Sequence, residues 1–358
     1  MKKLQRVLIM AGGTGGHVFP GLALARYLRE QQIDVQWLGT QKGLEARVIP
    51  AASIPLHTIT ISGLRGKGLK PLLLAPFNLL KALQQARRII KTVKPDVVVG
   101  LGGFVSGPGG LASWLMGYPL IIHEQNARAG LTNKLLARFA RKVLTGFPSD
   151  FKASVKAITV GNPVRPEIEN LPRKPTTNQT GAFHLLVLGG SLGAQALNEI
   201  VPRMSAALPA SERPVILHQT GDKFFSATQA LYTSLGVQAK LVPFIEDMAQ
   251  AYQWADMVLC RAGALTVAEL CAAGIGAIFV PYPYAVDDHQ TANADFMVKQ
   301  QAALCIQQSH LTVERLAAII KQFTQAPAQR LAMAEAAYQL RKVDVAKRIY
   351  QFCEEVCH

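Results

Sequence analysis

The chain has 358 residues, of which 49% are hydrophobic and 29 are glycine; this excludes a disordered protein, and the length predicts two packed domains rather than one. Its formal net charge of +15 is unevenly spread: residues 1 to 165 hold 23 Lys and Arg against 6 Asp and Glu, a balance of +17, whereas the remainder hold 15 against 17. General solubility does not load one half alone, so the N-terminal half is expected to meet an anionic partner, either nucleic acid or acidic lipid headgroups.

The opening "MKKLQRVLIMAGG" has lysines before an apolar run too short for a secretory signal, and it reads as a first strand. The glycine loop "GGTGGH" follows. After it, "FPGLALARYLREQ" predicts a helix with Pro20 in its opening turn and Leu24 and Leu28 one turn apart. Further strands at "VQWLG", "DVVVGLG", "PLIIHEQ" and "KVLTGF" alternate with helical patterns, which is the βαβ series of a doubly wound parallel sheet.

Between the second and third of these strands, "GLRGKGLKPLLLAPFNLLKALQQARRIIK" combines Arg65, Lys67, Lys70, Lys81, Arg87, Arg88 and Lys91 with Leu72, Leu73, Leu74, Phe77, Leu79, Leu80 and Leu83. Those apolar residues exceed one core-facing stripe, so the segment is either a buried helix or a basic amphipathic element lying on an anionic bilayer. The uncharged stretch from Val97 to Ile122 is long enough to cross a bilayer. Its seven glycines, with Pro108 and Pro119, would leave backbone groups unsatisfied in hydrocarbon, so strand, loop "GGFVSGPGG", short helix and strand are expected instead.

"GNPVRPEIENLPRKPTTNQTG" marks a linker, after which "HLLVLGGSLGAQALNEIVPRM" repeats strand, glycine turn and helix, with Leu197, Ile200, Val201, Met204 and Leu208 on one stripe. "VILHQTG", "AKLVPFI", "DMVLCRAG" and "GAIFVPYP" complete a second parallel sheet. The expected architecture is α/β, two Rossmann-like doubly wound domains facing a cleft, divided near residues 163 and 164. Five cysteines without a Cys-x-x-Cys pair suggest a reducing compartment.

The loops narrow the ligand. A dinucleotide fingerprint needs Gly-x-Gly-x-x-Gly and a carboxylate ending the second strand; here Val18 takes the last glycine's place and "VQWLGT" carries no acid. A Gly-x-x-x-x-Gly-Lys-Ser/Thr loop is likewise missing from the sequence. One such loop is as well explained by a turn needing positive φ as by an anion, but three in a two-domain α/β chain suggest a diphosphate.

"AGGTGGHVFPGLALA", "GLGGFVSGPGG", "IIHEQNARAGLTN", "GNPVR", "GGSLGA", "FIEDMAQAYQWADMVLCRAGALTVAEL" and "VDDHQTANA" together closely resemble the MurG family of bacterial N-acetylglucosamine transferases, in family order over about residues 7 to 300. The resemblance implies the glycosyltransferase class called GT-B, with residues 1–163 taking the acceptor and the membrane, and residues 164–340 taking UDP-N-acetylglucosamine. It also implies a C-terminal helix, about 340–358, packed back on the first domain. The reaction implied is transfer of the sugar, with inversion, to the 4-hydroxyl of the N-acetylmuramyl unit of lipid I, giving lipid II for peptidoglycan. The protein would then be peripheral on the cytoplasmic face of the cell inner membrane, without a cofactor.

The same resemblance assigns roles by position. Glu269 would bind the ribose hydroxyls, with Ala264, Leu265, Thr266, Val267 and Ala268 along the diphosphate and sugar; read from the residues alone, Thr266 and Glu269 also fit a capping box. The Ile245 backbone would meet uracil, although the residue reads as strand-end core. Ser191 would hold a phosphate, cap a helix, or both. Arg165 and Gln290 would reach the donor, with His289 standing before Gln290 where some relatives carry a second glutamine. Asp287 and Asp288 lack a third ligand and no Asp-x-Asp occurs, so no essential metal is expected.

A sugar transfer needs a base for the attacking hydroxyl and positive potential for the departing diphosphate. His17, closing "GGTGGH", is the first candidate for base, against the plainer reading of a histidine that caps its own helix turn. Glu124 in "HEQN" competes with it. Asn126 would orient a sugar, and Thr14, Gly15 and Gly16 would complete the acceptor pocket. A UDP-N-acetylglucosamine 2-epimerase shares fold and donor but acts on a soluble substrate and has no use for a +17 half. Nucleic-acid binding is disfavoured, because interleaved aromatics and a recognition helix are missing from the pattern.

Overall fold

In β1 (Arg6–Met10), Val7 and Ile9 pack on one side of the sheet and Leu8 and Met10 on the other, all of them buried, as a strand covered on both faces requires. The computed structural model describes residues 3–61, 75–173, 182–190 and 192–357. They divide into an N-terminal unit, Met1–Arg165 with Asp344–His358, and a C-terminal unit, Pro166–Val343.

The N-terminal unit adds β2 (Asp34–Gly39), β3 (Leu56–Thr58), β4 (Val97–Gly100), β5 (Leu120–Glu124), β6 (Lys142–Thr145) and β7 (Ile158–Thr159). They pair in parallel in the order β3-β2-β1-β4-β5-β6-β7. One face is covered by the helices Gly15–Glu30 and Val345–Val356, the latter burying Val345, Ile349 and Cys353. The helix Ala75–Val93 covers the other with Ala82, Ala86 and Ile90. Lys142 on β6 bonds Glu355 at 2.6 Å, and the rings of Tyr27 and Tyr350 meet at 6.0 Å, so the last helix belongs to this unit.

The C-terminal unit repeats the plan with β8 (His184–Leu188), β9 (Val215–Gln219), β10 (Lys240–Val242), β11 (Met257–Cys260), β12 (Gly276–Phe279) and β13 (Ala303–Cys305). Their order is β10-β9-β8-β11-β12-β13, again all parallel. The predicted stripe Leu197, Ile200, Val201, Met204 and Leu208 is buried against Leu185, Val187 and Met257. In each sheet the order reverses once, between β1 and β4 and between β8 and β11, and the loops after those strands flank the crevice where such sheets bind ligands.

Two local expectations are corrected. The first helix starts at Gly15, before the predicted Phe19, because the Thr14 carbonyl already accepts from the N–H groups of His17 (3.1 Å) and Val18 (3.2 Å). Pro20 therefore lies inside the helix rather than in its opening turn, and its ring removes the N–H that would have bonded the Gly16 carbonyl. The short strands β3, β7 and β13 were not expected; all three are sheet edges of two or three residues, too brief to carry a pattern. Among the described residues, no helix is long and apolar enough to cross a membrane.

Candidate active site

In the N-terminal unit the loops after β1 and β4 meet backbone to backbone. Gly103 has φ +78°, and a Cβ there would lie 2.3 Å from the Gly12 carbonyl oxygen, so only glycine fits. Buried Glu45 ties the first loop to the one after β2: its carboxylate accepts from the N–H of Gly13 (2.9 Å) and from the N–H (2.9 Å) and hydroxyl (2.7 Å) of Thr40. Gly13 and Thr14, just before the helix Gly15–Glu30, are exposed; in its first turn Gly16 is exposed and Gly15 and His17 are half-buried.

His17 Nδ1 lies 2.9 Å from Gln125 Oε1, while the Gln125 amide nitrogen lies 3.1 Å from both His123 Nδ1 and the His123 carbonyl. His123 Nε2 in turn donates to the Gly161 carbonyl at 2.8 Å. Complete burial of the His123 ring lowers its pKa from the ordinary histidine value, keeping it neutral. Gly102, at φ +102°, leaves the space that the His17 ring fills: a Cβ there would meet Cε1 and Nδ1 at 3.0 Å.

Glu124 is differently placed. Its side chain is buried, and its two oxygens accept four bonds, from Asn126 N–H (3.0 Å), Asn126 Nδ2 (3.2 Å), Gly130 N–H (3.0 Å) and Asn133 Nδ2 (2.8 Å). A carboxylate has about four lone-pair positions, so these donors engage all of them. Arg165 stands half-buried at the end of the N-terminal unit, before the short helix Pro166–Glu169.

In the C-terminal unit, Gly193 at φ +76° lets the loop after β8 approach the Thr220 carbonyl, 2.2 Å from where a Cβ would stand. Ser191 lies outside the described residues. After β11, Gly263 caps the helix Ala264–Ala273 with extended backbone and no side-chain bond. Thr266 is thus the helix's third residue and not its N-cap, which overturns the capping-box reading of Thr266 and Glu269. Val267 donates to the Gly263 carbonyl, and the N–H groups of Ala264, Leu265 and Thr266 precede the first intrahelical bond, on the end that carries the positive helix dipole.

Glu269 is 5% exposed, and its carboxylate accepts the Tyr252 hydroxyl at 3.0 Å. Ile245 is buried in the turn between β10 and the helix Met248–Trp254, and no described residue bonds its backbone. Gln290 accepts the Tyr282 N–H at 2.9 Å through Oε1, which turns its amide hydrogens elsewhere. Asp287 and Asp288 both have positive φ, and Asp288 accepts the Thr291 hydroxyl at 2.7 Å, so these acids shape the turn into the helix His289–Val298.

Residues 7–145 match the glycosyltransferase family 28 N-terminal domain, and residues 184–349 the family 28 C-terminal domain. A UDP-N-acetylglucosamine--N-acetylmuramyl-(pentapeptide) pyrophosphoryl-undecaprenol N-acetylglucosamine transferase of Nitrosococcus oceani is 54% identical over 353 residues, 98% of each chain. The chain belongs to the MurG family of family 28 glycosyltransferases. A same-named enzyme of Marinobacter nauticus is 51% identical over 356 residues, 99% of this chain and 98% of that one. The crystal structure of Acinetobacter baumannii MurG superposes with a TM-score of 0.84 at 42% identity, covering 98% of this chain and 99% of that one. A UDP-N-acetylglucosamine 2-epimerase, at 15% identity and a TM-score of 0.66, shares the fold alone.

Several residues that organise this MurG-family site escaped the sequence reading. Glu45 has no motif around it. Gln125 and His123 were in view inside "IIHEQN", but nothing in the run indicates that one holds the other. Arg261, beside the helix start, donates to the carbonyls of Val280 (2.9 Å) and Pro281 (3.1 Å) and to Gln308 (2.6 Å), tying three loops.

Proposed function

We propose that the chain transfers N-acetylglucosamine from UDP-N-acetylglucosamine, with inversion, to the 4-hydroxyl of the N-acetylmuramyl unit of the undecaprenyl-diphosphate-linked acceptor lipid I, giving lipid II. The observation that carries this reading is the 54% identity to a transferase of that name along 98% of both chains. The donor sits mainly on the C-terminal unit. Glu269, fixed by Tyr252, accepts from the ribose hydroxyls; the amides of Ala264, Leu265 and Thr266, with Val267 and Ala268 behind them, face the diphosphate; the Ile245 backbone reads uracil; Gln290 donates to the sugar; and Ser191 and Arg165 add phosphate contacts.

On the acceptor side, the assignment of base goes to His17, because no described residue engages its Nε2 whereas four donors occupy Glu124. His17 removes the 4-hydroxyl proton as that oxygen bonds the anomeric carbon and UDP leaves with the electrons of the broken bond. Glu124 instead shapes the turn that presents Asn126, while Thr14, Gly15 and Gly16 line the acceptor pocket.

The protein works at an anionic membrane surface, on the cytoplasmic face of the inner membrane. Support comes from the first two turns of the helix Ala75–Val93, where Phe77, Leu79 and Leu80 stand in solvent, with Lys81, Arg87, Arg88 and Lys91 exposed along the same helix. Arg65, Lys67, Lys70 and the leucines at 72 to 74 lie outside the described residues.

Calorimetric titration with the nucleotide sugar and steady-state turnover of the lipid-linked acceptor test the two halves separately. Glu269→Ala is expected to weaken binding of uridine diphosphate at least about tenfold, as loss of a charge-assisted bond does. His17→Ala is expected to lower kcat about 10²- to 10⁴-fold with donor affinity kept. Normal uridine diphosphate binding by the first variant sinks the donor assignment, and wild-type turnover by the second sinks the base.

A further inference from the structure

We infer that Gln125 and His123 are positioning residues that fix the tautomer of His17, placing its proton on Nδ1 and its lone pair on Nε2. The inference rests on the reading of His17 as the base and adds to it which nitrogen acts and what selects it.

The hydrogen-bond polarity can be followed outward from atoms that have only one role. The Gly161 carbonyl can only accept, so the His123 nitrogen 2.8 Å away, Nε2, carries a proton. Complete burial keeps that ring neutral, which leaves Nδ1 as an acceptor. The Gln125 side chain then has one possible orientation. Its NH₂ has two hydrogens, and the His123 Nδ1 and carbonyl oxygen, both acceptors at 3.1 Å, take them. A reversed amide would set its oxygen against the His123 carbonyl and a lone pair.

Oε1 therefore faces His17, and because an amide oxygen only accepts, His17 Nδ1 at 2.9 Å must be the donor. In the neutral ring Nε2 holds the lone pair, the form a proton acceptor needs. The chain from backbone carbonyl to base contains no carboxylate, so it selects the tautomer without placing a buried charge beside the reacting groups. Asn162 steadies it further by donating Nδ2 to the Gln125 carbonyl at 3.0 Å. All of these residues belong to the N-terminal unit.

The test is the ring-nitrogen NMR spectrum of the full chain carrying ¹⁵N-labelled histidine, at about pH 8, above the ordinary histidine range, with the His17 signals assigned by their loss in His17→Gln. Wild type is expected to show a protonated Nδ1 and a bare Nε2 at position 17. Gln125→Leu is expected to lose that pattern and to lower kcat about 10- to 100-fold, the loss seen when the partner that orients a metal-bound histidine is removed, with KM for UDP-N-acetylglucosamine within about twofold. Gln125→Glu, which still offers His17 an acceptor, is expected to retain the pattern and to recover part of kcat. A wild-type spectrum with the proton on Nε2 overturns the inference whether or not any variant folds. So does a Gln125→Leu enzyme that keeps the wild-type pattern. Failure of the base assignment looks different: His17→Ala would turn over normally while the wild-type spectrum still showed Nδ1 protonated.

Discussion

Gly102 shows how much at this site rests on the absence of one carbon. Its φ of +102° is outside the range that L residues occupy readily, and the added Cβ of an alanine would stand 3.0 Å from His17 Cε1 and Nδ1. Two costs follow from the one substitution. The backbone strain is about 1–3 kcal/mol, and the ring is pushed away from Gln125 Oε1. Gly102→Ala is therefore expected to lower the unfolding free energy by that amount in urea titration and, with His17 as the proposed base, also to lower kcat at least about tenfold, since that ring loses its set position. Full activity in a destabilised variant would show that the close packing is structural only. Glu45 and Glu124 make the complementary point: both are buried carboxylates beside the glycine loops, and both spend their acceptor capacity on the protein's own N–H groups.

At the level of elements, His218 on β9 links the two helices that flank it. Its Nε2 bonds Asn198 of the helix Gln195–Ala207 at 3.0 Å, and its Nδ1 lies 3.1 Å from the Tyr232 hydroxyl of the helix Phe225–Ser234. Burial pushes the His218 pKa from 6.5 down to about 3. Between those values the unfolded chain binds a proton that the folded one does not, so the stabilisation is complete above pH 6.5 and is lost as the pH falls toward 3. Of this, about 2 kcal/mol should disappear between pH 6.5 and about 4.5. Amide exchange in β8, β9 and β11 is expected to record that loss, and His218→Gln, which can make both bonds without titrating, is expected to show much less of it. Equal acid sensitivity in the two proteins would place the titration elsewhere.

At the scale of the whole molecule the charge is divided as the two units are, +16 over residues 1–165 with 344–358 against −1 over residues 166–343. If the exposed apolar turn and cations of the helix Ala75–Val93 meet a bilayer, full-length protein should bind vesicles containing anionic lipid and release them as salt rises, because the screening length falls from about 10 Å at 0.1 M to about 3 Å at 1 M. Arg87→Gln and Arg88→Gln should each weaken binding about fivefold, the equivalent of about 1 kcal/mol per cation, and Phe77→Ser should weaken it at every salt concentration. Equal binding to neutral and anionic vesicles would remove the electrostatic part of this picture.

The sequence alone determined the parallel-sheet architecture, the internal repeat and the family, because buried strands write continuous apolar runs and strand–glycine–helix turns write local motifs, as at "RVLIMAGGTGGH" and "HLLVLGGSLGA". It was silent on the edge strands, which are too short for a pattern, and wrong about where the first helix starts, since glycine and histidine are weak helix signals and the Thr14 carbonyl supplies the bonds. Tertiary structure alone decided what each polar side chain is free to do. The sequence does not separate Glu124 from His17, whereas the fold sets four donors on the one and, among the described residues, none on Nε2 of the other. That difference depends on partners far apart in the chain, such as the Gly161 carbonyl behind His123 and the Gln125 amide beside His17, and hydrogen-bond polarity across a folded sheet leaves no periodicity in the sequence from which it could be read.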